Sequence, residues 1–223
     1  MDWTPLFISM KTASLSVAVT FFLGVLAAWL VVRMRNEVWK AVIDGILTIP
    51  LVLPPTVAGF FLLMMFGVKR PLGQFFLEFF SVKIAFSWWA TVIAAVVMSF
   101  PLMYRSARGA FEQVDSNLLD AARTLGMGEW QIFWKVLLMN ALPGVAGGGV
   151  LAFARGLGEF GATAMLAGNI AGKTRTLPMA VYSEVAAGNM DTAWQYVAVI
   201  VVVAFAAILV LDGLEYRNRR KRG

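Results

Sequence analysis

Apolar residues fall into five blocks along this chain, each long enough to cross a bilayer as a helix, with the polar residues gathered between them. A helical span needs about 20 mainly apolar residues. The blocks cover 13–32, 41–66, 86–104, 136–167 and 193–211. The first holds no charge and ends at Arg33 and Arg35. The second carries Asp44 near its start and Pro50, Pro54 and Pro55 within; the third has Pro101 near its end. The fourth is interrupted by Pro143, a glycine cluster, Arg155 and Glu159. The pattern predicts an all-α membrane protein, a five-span helical bundle forming one domain over 1–223. No basic n-region or cleavage site precedes the first block, which reads as a retained span. The N-terminal dozen residues and the basic tail from Arg217 are expected to be loosely ordered.

The longest polar stretch, 105–135, contains Asp120-Ala121-Ala122-Arg123-Thr124-Leu125-Gly126. Leu118, Leu119, Ala122 and Leu125 follow helical spacing and predict one apolar stripe. Gly126 supplies the left-handed residue that ends such a helix. A short, sharply terminated helix between spans suits docking to a partner.

Composition strengthens the membrane reading. The chain is 60% hydrophobic and 14% charged, with a mean hydropathy of +0.75; soluble domains are about 45–50% apolar and about 25% charged. It has no Cys and no His. That excludes disulfides, thiolate metal sites, Cys nucleophiles and imidazole triads, so no metal, cofactor or catalytic residue is expected in this chain. The net charge of +6 reports topology rather than nucleic-acid binding, because the basic residues sit in short loops beside apolar blocks. One set of alternate loops holds twelve Lys and Arg, from Arg33 to Arg222, and the other holds six, Lys11, Lys69, Arg70, Lys83, Lys173 and Arg175. The richer side is cytoplasmic by the positive-inside rule, which puts the N-terminus outside, the C-terminus inside and the Asp120 segment on the side where ATP is.

Two glycine motifs look like nucleotide sites and fail. Gly156-Leu157-Gly158-Glu159-Phe160-Gly161 has dinucleotide spacing but continues an apolar helix with no strand before it. Close helix packing accounts for it better. Gly168 to Thr174 resembles a phosphate loop, yet only three residues separate Gly168 from Gly172-Lys173, where four are needed, and the segment lies on the outer face.

Other residues carry two readings each. Arg155 and Glu159, one turn apart in an apolar block, are either a self-neutralising ion pair or a positive contribution to an anion path that Glu159 positions. The Pro50, Pro54 and Pro55 cluster marks either a gate hinge lining a cavity or a fixed packing kink. Gly144, Gly147, Gly148 and Gly149 suit close helix contact, and Trp88 and Trp89 suit the interfacial belt. The outer segment 168–191, with Lys173 and Arg175, is either a solvated loop or a docking surface for an extracytoplasmic partner.

Read onward, the Asp120 run is followed by nine residues and then Val136-Leu137-Leu138. This resembles the E-A-A-x-x-x-G loop of binding-protein-dependent ABC importer permeases, with Asp120 in place of Glu and Met139 in place of a Pro. A narrower likeness, to molybdate permeases, rests on Leu51-Val52-Leu53-Pro54-Pro55-Thr56-Val57-Ala58-Gly59, Ser99-Phe100-Pro101-Leu102, the run from Phe153 to Thr163, and Thr174-Arg175-Thr176-Leu177-Pro178. The Phe153 run is shared in outline with sulfate and thiosulfate permeases. The resemblance implies the type I ABC importer permease fold and an oxyanion cargo: molybdate, or alternatively tungstate, sulfate or thiosulfate. It also implies a homodimer in the lipid bilayer, two ABC ATPase subunits that hold ATP-Mg inside, and an oxyanion-binding protein outside. On it, Asp120, Ala121, Ala122, Arg123, Leu125 and Gly126 couple to the ATPase. Pro54, Pro55, Ser99, Arg155 and Glu159 line the path or gate, and Lys173 and Arg175 belong to the outer docking loop. An ion-gradient-driven secondary transporter is the remote alternative; it asks for an acidic or His relay at midplane, for which Glu159 is the only central candidate.

Overall fold

The computed structural model describes residues 2–222, and every described element is helical. The order is α1 (Thr4–Val32), α2 (Glu37–Val52), α3 (Pro55–Phe66), α4 (Pro71–Phe80), α5 (Trp88–Glu112), α6 (Ser116–Thr124) and α7 (Glu129–Ile132). A π-helical turn, Phe133–Leu137, then leads into α8 (Leu138–Leu157), α9 (Gly161–Ala167), α10 (Leu177–Ala186) and α11 (Met190–Arg222). Four stretches are long and apolar enough to cross a membrane: Thr4–Val32, Trp88–Glu112, Glu129–Leu157 and Met190–Val210. A fifth crossing is available if α2 and α3, bent by 109°, count as one broken span.

That bend corrects the expectation of one kinked helix over 41–66. Pro54 and Pro55 have no N–H to donate, and each pushes the residue before it out of the helical region. Leu53 is extended, with ψ 139°, and so is Pro54, with ψ 134°. Pro55 then opens α3 at a first-turn position that needs no N–H donor.

Further boundaries move for physical reasons. α5 runs past Tyr104 to Glu112, so Arg105 and Arg108 stand on a helix and the connection to the next span narrows to 113–128. The fourth block starts earlier, at Glu129, and breaks over Gly158, Glu159 and Phe160. From Asp2 onward the N-terminal residues are tied to the bundle, not loose. Asp2 caps Thr4 through N–H···Oδ1 at 2.9 Å, Ser9 accepts the Leu177 N–H at 2.7 Å, and the Tyr196 hydroxyl donates to Asp2 O at 3.0 Å. The side chains of the tail from Arg217 lie outside the described residues.

The bundle centres on α1, α5 and α8. α1 and α5 run parallel, shown by two hydroxyl contacts that advance together: Thr12 with Thr91 at 3.0 Å and Thr20 with Ser99 at 3.2 Å. Such interhelical hydroxyl pairs are a common adhesive between spans, where the hydrophobic drive between helices is absent. α8 packs antiparallel on α5 through its small residues. A Cβ on Gly148 would come within 2.5 Å of Ser106 Cβ, and one on Gly144 within 2.8 Å of Ala110 Cβ. Toward the C-terminal end of α5, Met103, Tyr104, Phe111, Phe133 and Leu137 close the main core with Val25 and Ala28.

Candidate functional site

The helix α6 is held by caps at both ends. At its start the Asp115 side chain accepts the Asn117 N–H at 2.9 Å. At its end Gly126 takes φ +78°. The Met127 N–H returns to Ala122 O at 3.1 Å and the Gly126 N–H to Arg123 O at 2.9 Å, the pair of bonds that defines a Schellman terminus. The glycine expected from sequence to end this helix does so in the left-handed region, where a Cβ would clash with its own carbonyl.

The apolar stripe divides. Ala122 is buried and Leu119 packs against the main core, whereas Leu118 is 47% and Leu125 82% exposed. Ala121 and Asp120 are exposed as well. One arc of α6 therefore fastens the helix to the bundle, and the adjoining arc, Leu118, Ala121 and Leu125, presents apolar surface outward. Helical spacing alone groups Leu118, Leu119, Ala122 and Leu125; the position of the neighbouring bundle decides which are covered.

Arg123 stitches this segment together. Its Nη1 lies 2.7 Å from Asp120 Oδ1 and its Nε 2.9 Å from Glu129 Oε1. Glu129 in turn receives Arg33 Nη2 at 3.3 Å from the end of α1. The hydrogen bonds to Glu129 and Asp120 raise the guanidinium pKa further above its ordinary value. Asp120, expected to reach the ATPase, is engaged within its own helix by Arg123.

Deeper in the bundle the two broken spans meet at their breaks. A Cβ on Gly161 would lie 2.8 Å from Pro55 Cβ and 3.0 Å from Thr56 N, and one on Gly59 would lie 2.7 Å from Ala162 Cα. α3 and α9 thus start side by side. Glu159, in the break before α9, is fully buried; its Oε1 accepts the Ala162 N–H at 2.8 Å. Its Oε2 lies 2.6 Å from Arg155 Nη1, as an ionic contact without aligned hydrogen-bond geometry. The Arg155 side chain keeps 27% exposure. The structure therefore brings Pro54, Pro55, Arg155 and Glu159 into one region. Ser99 stands apart, wholly buried between α1 and α5 and bonded to Ala95 O at 2.7 Å as well as to Thr20. It is a helix-interface contact rather than a residue open to a path.

The segment 168–191 is a folded unit, which corrects the reading of it as a solvated loop. Buried Thr174 accepts the Ile170 N–H at 3.0 Å and donates to Gly168 O at 3.1 Å. Arg175 Nε donates to Asn169 Oδ1 at 2.9 Å, while Lys173 points to solvent. α10 then packs Leu177 and Ala180 against Tyr196 of α11.

Sequence reasoning passed over one cluster. Asp44 of α2 accepts the Tyr104 hydroxyl at 2.9 Å, ion-pairs with Arg108, and lies 3.7 Å from Arg105 Nη2. Arg108 Nε also holds Glu112 at 2.9 Å, and Lys40 reaches Glu112 at 3.7 Å. This network fixes α2 to the C-terminal half of α5. The spacing of Tyr104, Arg108 and Glu112, one helical turn apart in succession, is the signal that α5 continues.

The family described as binding-protein-dependent transport system inner membrane component matches residues 20–222. The molybdenum transport system permease protein ModB of Escherichia coli K12 is 42% identical over 223 residues, covering 100% of this chain and 97% of that protein. The putative molybdenum transport system permease protein YvgM of Bacillus subtilis is 40% identical over 211 residues, covering 94% and 92%. Among solved structures, an inward-facing MetNI methionine ABC transporter aligns with a TM-score of 0.69 at 18% identity, covering 96% and 97% of the two chains. A bacterial ABC transporter that imports the acidic polysaccharide alginate aligns with a TM-score of 0.70 at 12% identity, covering 97% and 78%. The full-length match, the shared fold and the glycine-terminated helix between spans agree: this chain belongs to the binding-protein-dependent transport system inner membrane components, the permeases of ABC importers.

Proposed function

We propose that this chain is the permease subunit of an importer that carries molybdate, or a tetrahedral oxyanion close to it, into the cytoplasm. The observation that carries the reading is α6, a capped helix anchored by Leu119 and Ala122 and offering Leu118, Ala121 and Leu125 to a partner. The cargo is supported by relatives about two-fifths identical along the whole chain that are named as molybdenum transport permeases. In this reading the N-terminus is outside and α6 faces a cytoplasmic ATPase that binds and hydrolyses ATP; this chain performs no hydrolysis.

Closure of two ATPase subunits draws the two α6 helices of a homodimer together. Because Arg123 and Arg33 both hold Glu129, a push on α6 reaches α1 and the start of the α7–α8 stretch rather than being lost in a loose loop. Motion of α8 then bears on the junction of the two broken spans, where Pro54 and Pro55 oppose Gly161. Discontinuous helices of this kind occur where a cavity or gate is built. Arg155 gives positive potential at that depth for a dianion that has lost part of its hydration. Its pairing with Glu159 tempers the attraction, as conduction requires binding weak enough to release the ion. The binding protein docks outside against the unit that holds Lys173 and Arg175.

The test is uptake in proteoliposomes holding the permease, its ATPase and its binding protein. ATP-dependent accumulation of labelled molybdate, with sulfate a poor competitor, is expected. Uptake driven by an ion gradient without ATP overturns the mechanism; preferential sulfate uptake overturns the cargo alone.

A further inference from the structure

The short helix α4 has no part in the transport reading. It folds back on the end of α3, where a Cβ on Gly73 would collide with Gly67 O and Phe76 packs on Phe66 with ring centroids 6.2 Å apart. At helical spacing Leu72, Phe75, Phe76, Phe79 and Phe80 share one side, and Gln74 and Glu78 the other. Phe79 is 73% and Phe80 61% exposed, and the Phe75 and Phe79 rings lie tilted against each other with centroids 4.9 Å apart. Ten residues are too few to cross a bilayer. The helix must lie along a surface.

We propose that α4 rests in the headgroup region of the outer leaflet and binds anionic phospholipid there. Three observations select lipid as the occupant. Phe60, Phe61 and Met65 of α3, the helix on which α4 folds back, are exposed as well, so span and surface helix both present apolar side chains outward. Exposed Lys69, Arg70 and Lys83 flank its ends against a single acid, Glu78, which is the arrangement that draws anionic headgroups to an interfacial helix. The chain then enters α5 at Trp88 and Trp89, where Lys11 sits 4.1 Å over the Trp88 ring and Trp89 is 45% exposed; such tryptophans mark headgroup depth. The proposal rests on the membrane-spanning reading and is independent of the cargo.

The chain has no cysteine, so one introduced thiol carries a unique nitroxide label. Phe79→Cys and Leu72→Cys report the apolar side, and Glu78→Cys the polar side, in the full chain reconstituted into nanodiscs of phosphatidylcholine with or without phosphatidylglycerol. The expected result is an oxygen-to-nickel-chelate accessibility ratio several-fold higher at positions 72 and 79 than at 78. That ratio rises when phosphatidylglycerol is added, and the rise is lost when Lys69, Arg70 and Lys83 are all changed to Gln. Ready access of the nickel chelate at all three positions means α4 lies in water, and the proposal fails. Poor access of both reagents at 72 and 79 means protein covers the helix, a second copy included, and it fails equally. An unchanged ratio on adding phosphatidylglycerol removes the anionic-lipid specificity. A permease for a different oxyanion gives the same labelling pattern, so an error in the cargo shows only in uptake.

Discussion

Arg123 and Glu129 join across the Gly126 turn, Nε to Oε1 at 2.9 Å, and the same carboxylate holds Arg33 at the end of α1. The helix proposed to meet the ATPase and the first span are thus connected through one residue. Both partners are about half exposed, so the pair adds little to folding; its effect is on how motion is passed. Glu129→Gln is expected to leave expression and thermal midpoint nearly unchanged and to lower the molybdate moved per ATP hydrolysed. Equal uptake-to-hydrolysis ratios in variant and parent proteoliposomes would show that the bridge transmits nothing.

Gly126→Val tests the terminus of the same helix. Holding a β-branched residue at φ +78° costs about 1–2 kcal/mol, and the strain is local because nothing beyond the adjoining backbone lies within 4 Å of the added Cβ. The variant should fold and capture the loaded binding protein, while stimulation of ATPase activity by that protein falls several-fold. Undiminished uptake would remove α6 from the coupling role.

Asp44 and Arg108 fasten α2 to α5. Asp44→Ala deprives Arg108, Arg105 and the Tyr104 hydroxyl of a shared acceptor, with an expected loss of about 1–3 kcal/mol from the unsatisfied groups. Combined with Arg108→Ala, the losses should fall short of additive by more than about 0.5 kcal/mol. Additive thermal shifts in detergent would mean that the contact contributes nothing to the fold.

What the sequence discloses here divides by range. The α6 terminus is set by bonds within a few residues, so Gly126 and its helix can be read directly. Four crossings are legible because each depends on its own apolar window, and the fifth rests on counting the bent α2–α3 pair as one span. The 109° bend is only half legible: two prolines guarantee a break, but the angle depends on α3 packing against α9, where Pro55 and Gly161 come together. Ser99 and Thr20 are 79 residues apart, and Asp44 and Tyr104 are 60 apart. No local pattern pairs them. That is why Ser99 is expected on a path when it belongs to a helix interface, and why the Asp44 cluster escapes notice until α2 is placed.

Arg155 poses the question that charge placement alone does not answer, and a pair of variants separates its two roles. Glu159 is buried, with one oxygen committed to the Ala162 N–H and the other against Arg155. Arg155→Ala strands that carboxylate, at a cost of about 3–5 kcal/mol, so its loss of transport would reflect folding as much as chemistry. Glu159→Gln alongside it removes the stranded charge and keeps an acceptor for Ala162, and the double variant is expected to recover its folded yield in the membrane. If Arg155 also supplies potential to the passing dianion, uptake stays low although the protein is folded, and ATPase stimulation survives because α6 is untouched. Arg155→Lys, with the charge kept and the planar fork lost, should lie between. Recovery of uptake together with yield in the double variant would reduce Arg155 to a counter-ion, leaving the breaks at Pro54 and Glu159 to gate the anion without a cation of their own.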